Sequence, residues 1–569
     1  MRDDVAIVIC GQAGQGIKTL EGLLAKIFSG AGFNVFTTRE FMSRIRGGMN
    51  STSIRVSTSR VRCFSRRVDI LVSLHPGGVT HLGDRVGAET LILGDEGTVG
   101  DEEKEKGSFF PFAGKEIAGE LGGAVYAGTV AVGAIVGVLG LEGEAAEKVV
   151  ESYFARRDEE TREKNLRAFR RGRERGREIA GEKDLSFPLE KPGKLEGEVF
   201  LNGTQGVALG AIAGGCNFLS FYPMSPATGV GVFLAGKAEE FGIEVLQAED
   251  EIAAVNMALG AWYAGGRGLV TTSGGGFALM NEGLSLAGMI ESPLVIHLGQ
   301  RPGPATGLPT RTEQGDLLFA LFAGHGEFPR AILTPGTIEE CFFLTRRAFL
   351  LADRFQVPVI VLTDQYLLDS AYNLPVPEIP EEKIENRIVE TEEDYRRYAA
   401  AEDGISPRGI PGWGRGLVAV DSDEHGEEGR ITEDFGVRVK MVDKRRRKLD
   451  GLTREALEPV FFGDEDYRTL VVGWGSTFPA VRESLEEAER KGIGGLHFRQ
   501  VYPFHPKTAG YLDRAKRILV IENNPSGQFA RLLKMTFGAA GLTKIRKYDG
   551  LPFSPEEISQ ALEKEADNE

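Results

Sequence analysis

Short runs of uninterrupted apolar residues, each opening into a glycine turn, constrain this chain more than any other feature. Val5-Ala6-Ile7-Val8-Ile9 leads into Gly11, Gly14 and Gly16, and Gly268-Leu269-Val270-Thr271-Thr272 leads into Gly274-Gly275-Gly276. Such a run, without polar alternation, is the pattern of a parallel strand buried on both faces. Asp69–Ser73, Thr90–Leu93, Pro293–His297, Pro358–Leu362, Thr469–Val472 and Arg517–Ile521 read the same way. Helical stretches lie between them, such as Ile17–Phe28 and Glu251–Tyr263, the latter with Ile252, Val255, Leu259 and Trp262 on one face. Strands alternating with helices specify an α/β fold. The 75 glycines in 569 residues are nearly twice the usual ~7%. Many tight turns and close backbone approaches to a ligand or another backbone are expected.

Composition shifts divide the chain. Residues 1–185 are expected to form an N-terminal α/β domain. Within it Gly128–Leu141 reads as a packed core helix, since a bilayer span needs about 18 apolar residues or more. The charged stretch 144–182, with Val149, Tyr153, Leu166 and Phe169, reads as a solvated helix and linker. Lys191-Pro192-Gly193 marks a boundary, and a second α/β domain is expected over 192–400. Residues 376–460 are rich in Pro, Gly and charge, so 401–462 reads as a connector to a third α/β domain over 463–569. The basic run Lys444–Lys448 reads as a solvated face.

Charge and cysteine usage exclude several function classes. With 67 Lys+Arg against 83 Asp+Glu the net charge is −16, which argues against binding nucleic acid or an anionic membrane. Cys10, Cys63, Cys216 and Cys341 are scattered, with no CxxC pair. No Cys₄ zinc site, iron–sulfur cluster or disulfide framework is therefore expected on this chain, and no metal ligands are assigned. Met1-Arg2-Asp3-Asp4 runs straight into an apolar strand, which reads as no signal peptide and a cytoplasmic location.

Five loops carry residues suited to chemistry. Gly11-Gln12-Ala13-Gly14-Gln15-Gly16-Ile17-Lys18 is neither a Walker A loop, because Ile17 separates the last glycine from Lys18, nor a Rossmann fingerprint. It remains a glycine turn before a helix N-terminus, which offers N–H groups to an anion. Phe221-Tyr222-Pro223-Met224-Ser225-Pro226-Ala227-Thr228 presents Ser225 between two prolines. Glu249-Asp250-Glu251 opens a helix; two acids suit the helix dipole, while Glu251 adjoins the apolar stripe and would gain proton affinity if turned inward. Thr272-Ser273-Gly274 follows a strand end, where ligands of open α/β sheets gather. Gln300-Arg301-Pro302 through Thr310 combines one guanidinium with small hydroxyl residues, equipment for a carboxylate substrate.

Taken together and in order, these motifs resemble a fused gamma–alpha subunit of the 2-oxoacid:ferredoxin oxidoreductases, of the 2-oxoglutarate synthase type. The opening glycine loop and Arg46-Gly47-Gly48 are similar to the gamma domain, and Tyr222–Thr228 to the alpha-subunit motif YPITPST. Glu249-Asp250-Glu251, the Thr-Ser-Gly loop, Gly303–Thr310, Gly324–Pro329 and Asp423-Glu424-His425 follow in family order. Gly473–Ser476, Glu522-Asn523-Asn524 and Gly527-Gln528 resemble its transketolase-C-like domain.

The resemblance implies a gamma-type domain, a thiamine-diphosphate pyrimidine-binding domain and a transketolase-C-like domain. It implies oxidative decarboxylation of a 2-oxoacid to acyl-CoA with reduction of ferredoxin. Glu251 would contact N1′ of the aminopyrimidine; Ser225, Arg301 and Thr310 would hold the 2-oxoacid; Tyr222, Pro223 and Ser273 would line the cofactor; and Gly11, Gly14 and Gly16 would face coenzyme A. Mg²⁺, the diphosphate and the iron–sulfur cluster would belong to a separate beta subunit, because the chain has no Gly-Asp-Gly element followed by Asn and no clustered cysteines. Two positions depart from the family pattern: Ser225 stands for a threonine, and Gly275 for the proline of Thr-Ser-Gly-Pro-Gly. The rival readings are a complete transketolase-like transferase, opposed by the missing diphosphate element, and a non-catalytic nucleotide-binding or regulatory protein, which would need neither Glu251 nor Arg301.

Overall fold

Strand pairing in the computed structural model follows the apolar runs closely. The structure describes residues 4–43, 48–183, 197–381, 387–486, 491–539 and 541–567, with single positions 185, 187, 189, 193, 195 and 384. Arg46, Gly47, Lys191 and Pro192 lie outside the described residues. The chain divides into two units, one of residues 1–201 with Ser370–Val376 and Ser554–Glu556, the other holding the rest.

The first unit carries an eight-stranded sheet. Its strand Asp4–Gln12 pairs in parallel with Ile70–Ser73 on one side but antiparallel with Met49–Ser57 on the other, Val5 opposite Val56. The expected all-parallel environment is thus only half present, yet the strand is buried on both faces. Leu20 and Leu24 pack with Ile7 and Ile9, and Val79 and Leu82 with Val8 and Cys10.

The charged stretch 144–182 is helical, as its sequence reads, but it is not merely solvated. It forms helices Gly143–Tyr153 and Glu159–Lys183, and the second buries Leu166, Phe169 and Ile179. That helix lies against Ala127–Val138 at backbone contact. A methyl on Gly172 would fall 2.1 Å from the Val130 carbonyl oxygen, and one on Gly133 would fall 2.2 Å from that of Phe169. The seam is narrow and flanked by arginines, so mean polarity conceals it.

The second unit holds two sheets. The seven-stranded one runs Gln500–Tyr502, Ala331–Leu333, Pro358–Asp364, Leu294–Gln300, Gly268–Thr272, Phe218–Phe221 and Glu244–Gln247, parallel except at Gln500–Tyr502. The five-stranded one is Val460–Gly463, Ile493–Phe498, Thr469–Trp474, Arg517–Glu522 and Leu542–Arg546, parallel except at its first strand. A continuous core including Val255, Leu284, Leu298, Trp474 and Phe529 joins them.

The basic run of helix Phe435–Arg454 also corrects the sequence reading. Lys444 and Lys448 are buried, their ammonium groups 2.8 and 2.5 Å from Glu291. Arg445 pairs with Glu424 at 2.9 Å, and only Arg446 and Arg447 face solvent. Burial would raise the Glu291 carboxyl, but Lys448 and Lys444 hold it down at about 2. Arg397 donates to the Glu291 carbonyl at 2.7 Å, so residues from 397 to 448 are fastened to the seven-stranded layer by charge-assisted bonds.

Candidate active site

Four site loops converge because four neighbouring strands run the same way. Leu294–Gln300, Gly268–Thr272, Phe218–Phe221 and Glu244–Gln247 are consecutive and parallel. Arg301, Ser273, Tyr222 and the turn to Glu251 therefore leave the carboxyl ends of strands along one edge, the ligand-binding edge of open α/β sheets.

Glu251 is the first residue of helix Glu251–Tyr263. Asp250 supplies the cap, its carboxylate accepting from the Ala253 N–H at 2.7 Å, so Glu251 is free to turn inward. It is 2% exposed, and its Oε1 has no hydrogen-bond partner among the described residues. Burial raises its proton affinity, and the charge of Asp250 adds to the effect. A methyl on Gly276 would fall 2.3 Å from that oxygen and 2.2 Å from Thr272 Oγ1, so only glycine leaves room for the two oxygens. With Glu251 inward, the buried face is Ala254, Val255, Ala258, Leu259 and Trp262. Ile252, expected on that face, is 48% exposed.

Arg301 and Ser225 meet. The guanidinium Nη1 donates to the Ser225 carbonyl oxygen at 2.7 Å, which leaves its other N–H groups to a ligand. The contact uses the backbone of Ser225, not the hydroxyl that sequence reasoning singled out. Tyr222, Pro223 and Ser225 are exposed. Met224 Sδ and the Ala305 carbonyl oxygen lie 3.8 and 3.9 Å from where a Gly275 methyl would sit, so three of the loops meet around Gly275. Thr310 stays apart: its carbonyl accepts from Arg311 at 3.4 Å, and its hydroxyl bonds to neither Arg301 nor Ser225.

Ser273 is buried at the N-cap of Gly274–Leu279, but its hydroxyl makes no capping bond and has no partner among the described residues. Glu251 Oε1 and Ser273 Oγ are thus unpartnered polar atoms at either end of the Gly274–Gly276 segment. Most buried polar atoms in folded proteins have partners, so two unpartnered oxygens beside one glycine segment call for an explanation.

The N-terminal glycine loop belongs to the other unit. Gly14 and Gly16 have φ of 95° and 73°, values glycine adopts without strain. Helix Ile17–Gly30 follows with no side-chain cap. Gln15 closes the turn from inside, accepting from the Gln12 N–H at 2.6 Å and donating to the Leu74 carbonyl at 3.2 Å. A methyl on Gly11 would fall 2.8 Å from Gln15 Oε1.

Comparison with known proteins agrees with this geometry. Residues 209–444 match the family of pyruvate flavodoxin/ferredoxin oxidoreductase thiamine-diphosphate-binding domains, and residues 6–175 the pyruvate ferredoxin/flavodoxin oxidoreductase family. The chain is 33% identical to the 2-oxoacid:ferredoxin oxidoreductase subunit alpha of a Sulfolobus species, over 98% of this chain and 96% of that one. The Mycobacterium tuberculosis 2-oxoglutarate oxidoreductase subunit KorA is 27% identical over 98% of this chain and 91% of that one. The solved 2-oxoglutarate:ferredoxin oxidoreductase from Magnetococcus marinus, with 2-oxoglutarate, coenzyme A and succinyl-CoA bound, superposes with a TM-score of 0.93. It is 30% identical and covers 99% of this chain and 100% of that one.

The chain belongs to the 2-oxoacid:ferredoxin oxidoreductase alpha-subunit family. That membership favours the catalytic reading over a nucleotide-binding or regulatory protein. Among the described residues no helix is long and apolar enough to cross a membrane.

Membership leaves unexplained two acids that sequence reasoning missed. Asp316 holds the N-cap position of Leu317–Phe322 yet makes no cap bond, and its Oδ2 is buried without a partner among the described residues. Glu313 lies three residues before it. The only sequence signal was their place just after the Arg301–Thr310 loop. The family motif Asp423-Glu424-His425 proves to be packing: Glu424 pairs with Arg438 and Arg445, and His425 stacks on Tyr398 at 3.9 Å.

Proposed function

We propose that this chain, with a separate beta subunit, converts a 2-oxoacid and coenzyme A into acyl-CoA and carbon dioxide while reducing ferredoxin. The observation that carries the reading is Glu251 Oε1, buried, unpartnered and packed directly against Gly276. An unpartnered buried carboxylate oxygen suits the aminopyrimidine of thiamine diphosphate, whose ring nitrogen N1′ would supply the missing partner. When bound, the cofactor supplies the carbanion that adds to the oxo carbon and accepts the charge left by carbon dioxide.

The raised proton affinity of Glu251 lets it share a proton with N1′. Ser273, Tyr222 and Pro223 line the same cofactor. Arg301 holds the substrate carboxylate, with Ser225 and Thr310 on the oxoacid as the family pattern implies. Gly11, Gly14 and Gly16 are assigned to coenzyme A. The beta subunit is assigned Mg²⁺, the diphosphate and the iron–sulfur cluster, through which electrons pass to ferredoxin. The working division of the chain remains 1–185, 192–400, 401–462 and 463–569, and the proposed location is the cytoplasm.

The test is co-expression with a beta-type subunit and measurement of CoA-dependent viologen reduction over a panel of 2-oxoacids. Reduction that needs both chains, an oxoacid and coenzyme A supports the reading. An assembled, cofactor-loaded complex that reduces viologen with no oxoacid in the panel refutes it.

A further inference from the structure

Asp316 is fixed in place for a purpose that packing does not explain. Its N–H donates to Gln300 Oε1 at 3.0 Å, and the Gln300 amide donates to the Thr363 carbonyl at 3.0 Å, so the residue just before Arg301 anchors it. Two residues earlier, Gln314 bonds to the Trp474 carbonyl at 2.8 Å and to the Asn523 N–H at 3.0 Å. On this rigid loop the Asp316 carboxylate lies against Gly274, where a methyl would fall 2.6 Å from Oδ2. An aspartate at an N-cap normally accepts from the helix N–H groups. This one does not, and keeps a buried oxygen without a partner instead.

Among the described residues its charged neighbours are few. Arg301 is the cation whose field it feels, and no ion pair closes between the two. Glu313, on the same loop, is the other acid; its Oε1 lies 2.8 Å from where a Gly315 methyl would sit. The Gly274–Gly276 segment and Gln300 bring no charge to it.

We propose that Asp316 is a positioning residue that acts through Arg301: it is the resting counter-charge of that guanidinium and takes up a proton from solvent when a 2-oxoacid carboxylate arrives there. The proton returns to solvent once the carboxylate has left as neutral carbon dioxide, so charge balances over the cycle. The substrate carboxylate and the buried Asp316 carboxylate would compete for one half-buried guanidinium. Burial already pushes Asp316 up to about 6, with Arg301 opposing. Burial and then the Asp316 charge push Glu313 up to about 7, so the titration belongs to the pair. The proposal rests on the reading that Arg301 holds the substrate carboxylate.

The sign follows from linkage. A bound carboxylate raises the pair's proton affinity, so binding takes up a proton and weakens as pH rises above the free-enzyme titration. In the assembled enzyme, KM for the 2-oxoacid should rise about fivefold between pH 6 and pH 8, the part of a tenfold gain in proton affinity on binding that linkage places in that range. Asp316→Asn should flatten that rise, and Glu313→Gln should move it to lower pH. KM for coenzyme A should keep one profile in all three proteins, and melting temperatures confirm that the variants fold. Retention of the full rise in Asp316→Asn, with Arg301→Lys still raising the oxoacid KM, overturns this proposal alone. If Arg301→Lys leaves that KM unchanged, the reading of Arg301 falls first.

Discussion

Gly276→Ala tests the packing at Glu251 directly, because the structure sets the size of the clash. The added methyl would sit 2.2 Å from Thr272 Oγ1 and 2.3 Å from Glu251 Oε1, against 3.4 Å or more in ordinary contact. Thr272 is on a buried strand between two neighbours, so Glu251 is the side chain that yields, by about 1 Å. Displacing a catalytic group by that distance costs about a hundredfold in rate, while overpacking a buried site destabilises by about 1–3 kcal/mol. The assay is viologen reduction by the assembled complex at saturating oxoacid and coenzyme A, alongside thermal melting. The expected result is a hundredfold loss in kcat with a melting temperature lowered by several degrees. Gly275→Ala is the steric control: its methyl meets nothing nearer than 3.8 Å, so its melting temperature should match wild type. A Gly276→Ala complex within threefold of wild-type kcat would refute the placement of Glu251 at the reacting cofactor.

Three further outcomes follow from the same geometry. Glu251→Gln keeps the shape but removes the acid, so turnover of the complex should be abolished with folding intact; near-normal exchange of the thiazolium proton in that variant would remove Glu251 from the chemistry. Arg301→Lys should raise KM for every oxoacid by about ten- to a hundredfold, the loss of a charge-assisted forked contact worth roughly 1.5–3 kcal/mol. KM for coenzyme A should hold, and a general loss of stability with both KM values disturbed would show that Arg301 only pins its loop. Glu291→Gln would leave Lys444 and Lys448 buried without their carboxylate, and urea unfolding should show about 3–5 kcal/mol lost. Because the folded Glu291 carboxyl sits near 2, below its ordinary 4.5, its wild-type contribution is complete above pH 4.5 and disappears as pH falls through 2. Equal stability of variant and wild type at pH 7 would contradict the buried cluster.

Local patterns in the sequence were sufficient for the elements that frame the site. Gly268–Thr272 is the strand its apolar run specified, and the helix after Asp250 begins at Glu251 because an N-cap aspartate and an apolar period are both local signals. The order of site motifs, and so the family, is likewise written in the linear sequence. What only the tertiary structure decided depends on partners distant in the chain. Lys444 reads as solvated by composition, but its carboxylate is 153 residues away. The 144–182 stretch reads as polar because its glycine seam lies within a run of arginines. Which polar oxygens lack a partner is likewise settled only when separate loops close around one glycine segment. Asp316 has the sequence context of an ordinary helix cap, and its unused cap bond, with Arg301 as its neighbouring cation, exists only in the folded chain. Propensity and periodicity act over a few residues, whereas desolvation and charge pairing act through space, so the strands were legible and the electrostatics of the site were not.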